Sequence, residues 1–248
     1  MMFNAARLRS VHKWLSPWVE PFDDSAAPSF GRLLGEVSVV GERWNGRRLS
    51  AGLASGHDGQ GRPVMVIPGF LAQDFMTQTL RRTLRQANYR PHGWKFGRNL
   101  GISRPLFEAM LGRIETLARR YDRPVALVGW SLGGLYAREL AKERPELVER
   151  VVTLGSPFSG DCRQNHAWQL YEWINDHPVD APPIEACLSE KPSVRTVALW
   201  SARDGIVSPA SARGLEGEAD ERIEVDCTHL GFVCAPPALK AILTALED

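Results

Sequence analysis

Cysteine is scarce in this chain. Four of its 248 residues are cysteine (Cys162, Cys187, Cys227, Cys234) and none forms a C-x-x-C pair, which argues against the common zinc and redox sites. Their even number permits disulfides in an exported chain; in a cytoplasmic one they read as buried thiols. Charge of one sign is lacking as well. Against 30 Lys and Arg stand 29 Asp and Glu, a formal net charge of +1, so no global field draws in nucleic acid or an acidic substrate. No apolar run approaches the roughly 18 residues of a membrane span. The opening stretch MMFNAARLRSVHKWLSPWVEPF is basic, with no apolar centre and no small-residue cleavage site. A secretory signal is therefore not expected, and a cytoplasmic location is the default. Internal repeats are absent, and no motif calls for a metal or a cofactor.

What is there is an ordinary globular composition, 44% apolar and 24% charged, in a chain long enough for a sizeable core. From about residue 64, short β-branched runs alternate with helical patterns, the signature of βα units around a parallel sheet. Strands are expected at Val64–Ile67, Val125–Val128, Val151–Leu154, Val194–Trp200 and Arg222–Val225, with a weaker one at Tyr89–His92. Helices are expected near Gln73–Ala87, Pro105–Tyr121, Leu132–Arg144 and Pro236–Leu246. Several strands are apolar without alternation, which implies helices on both faces.

Two stretches break the pattern. Residues 1–60 read as an N-terminal segment, largely helical and packed on the core. Its stripe of Leu8, Val11, Leu15 and Trp18 beside Arg7, Arg9 and Lys13 also fits contact with a membrane surface or a partner. Residues 157–192 read as a cap-like insert in the domain 61–248. The insert carries Trp168, Tyr171 and Trp173, then the proline-rich HPVDAPPIEACLSEKP.

The stretch LVGWSLGGLYAREL joins a strand end to a helix through Gly129-Trp130-Ser131-Leu132-Gly133. A serine nucleophile must stand exposed at a strand end, near donors that can hold a developing oxyanion. A sharp strand-to-helix turn achieves this, and its close backbone approach requires glycine on either side of the serine. The Leu132 N–H then lies at a helix N-terminus, where unpaired N–H groups favour negative charge. On this kind of turn the acid, then the histidine, follow on loops beyond later strands. Asp204 falls four residues past Trp200, and His229 four past Val225, both on the edge that carries Ser131. Asp226 is a competing acid, but it lies three residues from His229 on the same segment. His12, His57, His92, His166 and His177 fit the order less well and read as structural or surface residues. The second oxyanion donor is expected in VMVIPGFLAQD. There Gly69 lets the backbone close on the serine and Phe70 supplies the N–H that Pro68 lacks.

In this order VIPGFLA, LVGWSLGGLYAREL, VVTLGSPFSG, SARDGIV and CTHLGF resemble the α/β-hydrolase family, specifically its bacterial esterase- and lipase-like members, over about residues 62–246. The resemblance implies an α/β fold: a mostly parallel central sheet with helices on both faces and a short cap insert. It also implies a Ser-His-Asp triad that works through an acyl-enzyme. By position Ser131 is the nucleophile, His229 the general base and acid, and Asp204 its orienter, with Phe70 and Leu132 as oxyanion donors. The chain departs from the family's pattern in two places. Pro68-Gly69 stands where many members have His-Gly, and Trp130 where many lipases have histidine. Neither change removes a catalytic atom, because the donors are backbone groups, but both weaken a claim of true lipase activity. The family's usual first two strands are not legible in residues 1–60.

The expected reaction is hydrolysis of carboxylic esters with small to medium acyl groups. The expected partner is a small-molecule ester, and the oligomeric state is open. The loop GWKFGRNLG (residues 93–101) and the insert offer pocket-wall candidates. These are Trp94, Phe96, Trp168 and Trp173 for an apolar acyl group, and Arg98 and Asn99 for a polar head group, with core packing and loop capping as open alternatives. Thioesterase, amidase, lactonase or acyltransferase chemistry on the same triad are further readings, as is a non-catalytic binding module on the same scaffold.

Overall fold

The computed structural model describes residue 31, residues 35–160 and residues 188–247. Its strands are β1 (Pro63–Ile67), β2 (Arg90–Gly93), β3 (Val125–Trp130), β4 (Val148–Leu154), β5 (Arg195–Trp200) and β6 (Glu221–Glu224). They form one sheet in the order β2-β1-β3-β4-β5-β6, and every neighbouring pair is parallel. The described helices are α1 (Val39–Ala54), α2 (Gln78–Gln86), α3 (Arg104–Tyr121), α4 (Leu132–Glu143), α5 (Pro209–Arg213) and α6 (Pro236–Glu247).

Alternation along the strands divides the core in two. Val64, Val66, Ala126, Val128, Val197 and Leu199 join one cluster with Leu80 and Leu84 of α2 and Ile242 and Leu243 of α6. Met65, Ile67, Val125 and Leu127 join the other with Met110 and Ile114 of α3 and Ala137 and Leu140 of α4. Both faces of the sheet are therefore covered, as its apolar strands require. Each large side chain so buried contributes about 1.5–3 kcal/mol. α1 packs against α2 and α6, so this part of the N-terminal stretch is helical and lies on the first of the two faces.

Several element ends differ from the expected ones. β4 begins at Val148 rather than Val151, and the helix expected at Gln73–Ala87 opens with a 3-10 turn, Asp74–Thr77. There the Asp74 carbonyl accepts from Thr77 Oγ1 and from Arg81. The short α5 was not anticipated, although its signal is plain: Ser208 caps it by accepting from the Ser211 N–H, and Pro209 sits in its first turn.

The strand order contains one reversal. The chain passes outward from β1 to β2, crosses back to β3, and then runs on through β4, β5 and β6. Such a reversal opens a crevice at the carboxyl ends of the two strands that flank it, here β1 and β3. The loops leaving those two ends carry Phe70 and Ser131. No helix among the described residues is long and apolar enough to cross a membrane.

Candidate active site

Ser131 sits at φ 54° and ψ −123°, between the last residue of β3 and the first of α4. A non-glycine residue at positive φ is costly, on the order of 1–3 kcal/mol, and persists only where its surroundings hold it. They do so here. The Ser131 N–H donates to Leu154 O of β4 at 2.8 Å, and the Ser131 carbonyl accepts from Gly134 N at 2.9 Å. The glycines permit the approach: a Cβ on Gly129 would collide with the Gly133 carbonyl, and one on Gly133 with the Ile67 carbonyl. Serine at a helix start ordinarily caps it through its hydroxyl, but that of Ser131 makes no cap bond. Ser131 is half-buried.

The loop after β1 runs alongside the serine. A Cβ on Gly69 would come within 3.0 Å of Ser131 Cβ, so the Gly69–Phe70 backbone is adjacent to the hydroxyl-bearing carbon. Asn99 holds this loop. Its Nδ2 donates to Pro68 O at 2.8 Å, its backbone N–H to Ala72 O at 2.9 Å, and its carbonyl accepts from Leu71 N at 2.7 Å. Its Oδ1 accepts from Tyr136 Oη of α4 and from Gly101 N, both at 3.2 Å. Asn99 is 0% exposed, so the head-group role expected of it gives way to a clamp between the Pro68–Ala72 loop and α4.

Trp94 is likewise 0% exposed, its ring in the α3–α4 core and its Nε1–H donating to Gly97 O. Its backbone N–H donates to Asp74 Oδ1 at 3.0 Å. Phe96 lies edge-on against it, half-buried, and Arg98 is exposed. Trp168 and Trp173 lie outside the described residues.

Asp204 and His229 meet at the carboxyl ends of β5 and β6. The His229 Nδ1–H donates to Asp204 Oδ2 at 2.7 Å, in a setting where the two residues are 3% and 1% exposed. The other carboxylate oxygen, Oδ1, accepts from Ile206 N and Val207 N at 2.8 Å each. Asp204 is thus fixed and orients the ring, leaving Nε2 as the free nitrogen. Burial opposes protonation of this imidazole, yet the Asp204 charge, its hydrogen bond and the nearby Glu36 outweigh burial and raise its pKa above the ordinary histidine value.

β6 is three positions from β3 in the sheet, yet the histidine loop meets the residue beside the serine: Trp130 Nε1–H donates to His229 O at 3.0 Å, and the two rings lie 5.9 Å apart. The β4 end closes the ring of loops, since a Cβ on Gly155 would lie 2.9 Å from Asp204 Oδ2. Asp226, the competing acid, is on the surface and pairs with Arg203 at 2.9 Å. His57 pairs with Glu247, and His92 meets the Tyr121 hydroxyl; His12, His166 and His177 lie outside the described residues. Cys227 is buried, and burial pushes its thiol up, which disfavours the reactive thiolate. Cys234 is buried as well; Cys162 and Cys187 lie outside the described residues.

Two carboxylates that sequence reasoning missed also reach this site. Glu36 accepts hydrogen bonds from Gly205 N, His229 N and Leu230 N, and Glu42 from the Thr228 backbone and hydroxyl. No local pattern marks either residue, since each is joined to segments far along the chain.

No family model matches the chain. A pimeloyl-[acyl-carrier protein] methyl ester esterase of Shewanella oneidensis is 28% identical over 110 residues, which span 44% of this chain and 41% of that protein, less than half its length. Among solved structures, a membrane phospholipase A that is a bacterial virulence factor superposes with a TM-score of 0.53 at 16% identity, over 88% of this chain and 94% of the other. Lipase B of Aspergillus fumigatus superposes with a TM-score of 0.56 at 16% identity, over 78% of this chain and 55% of the other. At these identities the structural likeness speaks to the fold.

Proposed function

From the premise that this chain has the α/β-hydrolase fold, we propose that it is a serine hydrolase, cleaving carboxylic esters of small to medium acyl groups through an acyl-enzyme on Ser131. The observation that carries the reading is the buried 2.7 Å hydrogen bond from His229 Nδ1 to Asp204, on a loop tied to the residue beside Ser131. The esterase of Shewanella oneidensis, an ester hydrolase by name, supports ester chemistry.

In the proposed reaction His229 Nε2 takes the Ser131 proton as Oγ attacks the ester carbonyl. Asp204 stabilises the imidazolium that forms, and the Phe70 and Leu132 N–H groups receive the oxyanion. His229 then protonates the leaving alcohol, and water repeats the sequence on the acyl-enzyme. The strained serine backbone favours this chemistry by presenting Oγ away from its own helix, where it would otherwise cap.

Ser131→Ala is expected to abolish turnover of p-nitrophenyl esters and labelling by a fluorophosphonate while leaving the circular dichroism spectrum unchanged. Undiminished turnover in that variant would refute the assignment. Acyl-chain length is read from the same assay with acetate through octanoate esters, and the proposal expects the shorter ones to turn over faster.

A further inference from the structure

Asp204 and His229 stand on separate loops, and their 2.7 Å hydrogen bond requires both loops to be held closely. The sheet alone is a poor holder. β6 has four residues, alternates between partly buried and exposed, and among the described residues is an edge strand paired only with β5. What joins the loops comes from ahead of the sheet. Glu36, 6% exposed, accepts at Oε1 from Gly205 N (2.9 Å) and His229 N (2.8 Å), and at Oε2 from Leu230 N (2.9 Å). One carboxylate thus bonds the residue after the acid, the histidine itself and the residue after it. Such charge-assisted bonds are about twice as strong as neutral ones, and they satisfy donors that would otherwise be buried unpaired. Glu42 of α1 extends the grip. Its Oε1 accepts from Thr228 N at 3.2 Å and its Oε2 from Thr228 Oγ1 at 2.8 Å, and a Cβ on Gly231 would collide with it.

We infer that Glu36, supported by Glu42, is a positioning residue of this site: a buried carboxylate that locks the acid loop to the histidine loop and sets the charge around the imidazole. Its catalytic consequence rests on the hydrolase reading above, whereas its effect on His229 does not. Among the described residues, the charged groups acting on His229 are Asp204 and Glu36, and the rings facing it, Trp130 and Phe232, are uncharged. Glu42 sits one residue away on Thr228, 4.0 Å from Arg203, which itself pairs with Asp226.

Glu36→Gln tests this. The amide keeps the shape, loses the charge, and turns an N–H₂ towards one of the three N–H donors. The variant is expected to keep the wild-type circular dichroism spectrum and to lose about 10-fold or more in kcat on p-nitrophenyl acetate with little change in KM. The acidic limb of its kcat/KM profile should move to lower pH, because the imidazole loses an anion that raises it. Glu36→Asp, with the charge on a shorter arm, should lower kcat yet restore the acidic limb. A folded Glu36→Gln variant with wild-type kcat and an unmoved acidic limb overturns the inference. If the wild type hydrolyses no ester, the hydrolase reading fails by itself. The NMR titration of His229, assigned by His229→Gln, then decides: a lower midpoint in Glu36→Gln supports the inference and an equal one overturns it. Should Glu36→Gln not fold, Glu42→Gln carries the kcat test: a lower kcat with little change in KM supports the inference, and wild-type kcat overturns it.

Discussion

At the scale of single residues, the site depends on groups whose polar atoms face protein rather than a ligand. Asn99 is the clearest. Its amide, N–H and carbonyl join the loop carrying Phe70 to α4, so its side chain governs where the proposed oxyanion donor stands. Asn99→Ala is expected to lower kcat on p-nitrophenyl acetate about 10- to 100-fold, since a displacement of about 1 Å at a reacting centre can cost that much, with KM changing far less. Steady-state kinetics on the folded variant check the split. Arg138 plays a comparable part elsewhere on α4. Fully buried and stacked 4.2 Å over Phe158, it donates to the carbonyls of Leu188, Ser189, Glu190 and Glu218. Burial lowers its pKa to about 10, with Glu139 and Glu218 opposing, so it is cationic at neutral pH.

At the scale of elements, the strand-turn-helix unit of β3 and α4 packs backbone against backbone. Gly133→Ala weighs two effects of opposite sign. Alanine in a helix gains about 1 kcal/mol over glycine. Its Cβ, however, would run into the carbonyls of Ile67 and Pro68, backbone atoms of β1 and its loop that cannot swing aside as a side chain can. Overpacking of that kind costs about 1–3 kcal/mol, so a net loss of stability is expected in urea denaturation, together with reduced turnover as the Phe70 loop shifts. This unit was also the most legible part of the sequence. An apolar run, a G-x-S-x-G knot and a helical period are all local, and residues following the strands of a parallel sheet share one edge; that is how Asp204 and His229 came into view. Glu36, Glu42 and the true place of Asn99 did not. A glutamate near a helix start reads as a solvated residue, and an asparagine in a glycine-rich loop as a surface one, until the partner segment is known. Trp94 was open for a related reason: an aromatic in a loop suits a pocket or a core equally, and only the packing of its ring among α3 and α4 decides.

At the scale of the whole molecule, the sheet supplies the edge and the reversal of strand order supplies the crevice, while the loops are fixed by groups from both ends of the described chain. Glu36 is bonded to partners 169, 193 and 194 residues away. Contacts of such span are slow to form, because a long loop must close before they return any stability. The order of folding follows from this. Local βα units and the central strands can assemble while the histidine loop is still unanchored, and on the proposed reading competence arrives only when the two distant segments meet. On dilution from urea, far-UV circular dichroism should therefore recover before fluorophosphonate labelling of Ser131 does, and Glu36→Gln should widen the interval. Simultaneous recovery of the two signals would show instead that the site forms together with the sheet. A chain that folds in the expected order passes through a native-looking but inert stage.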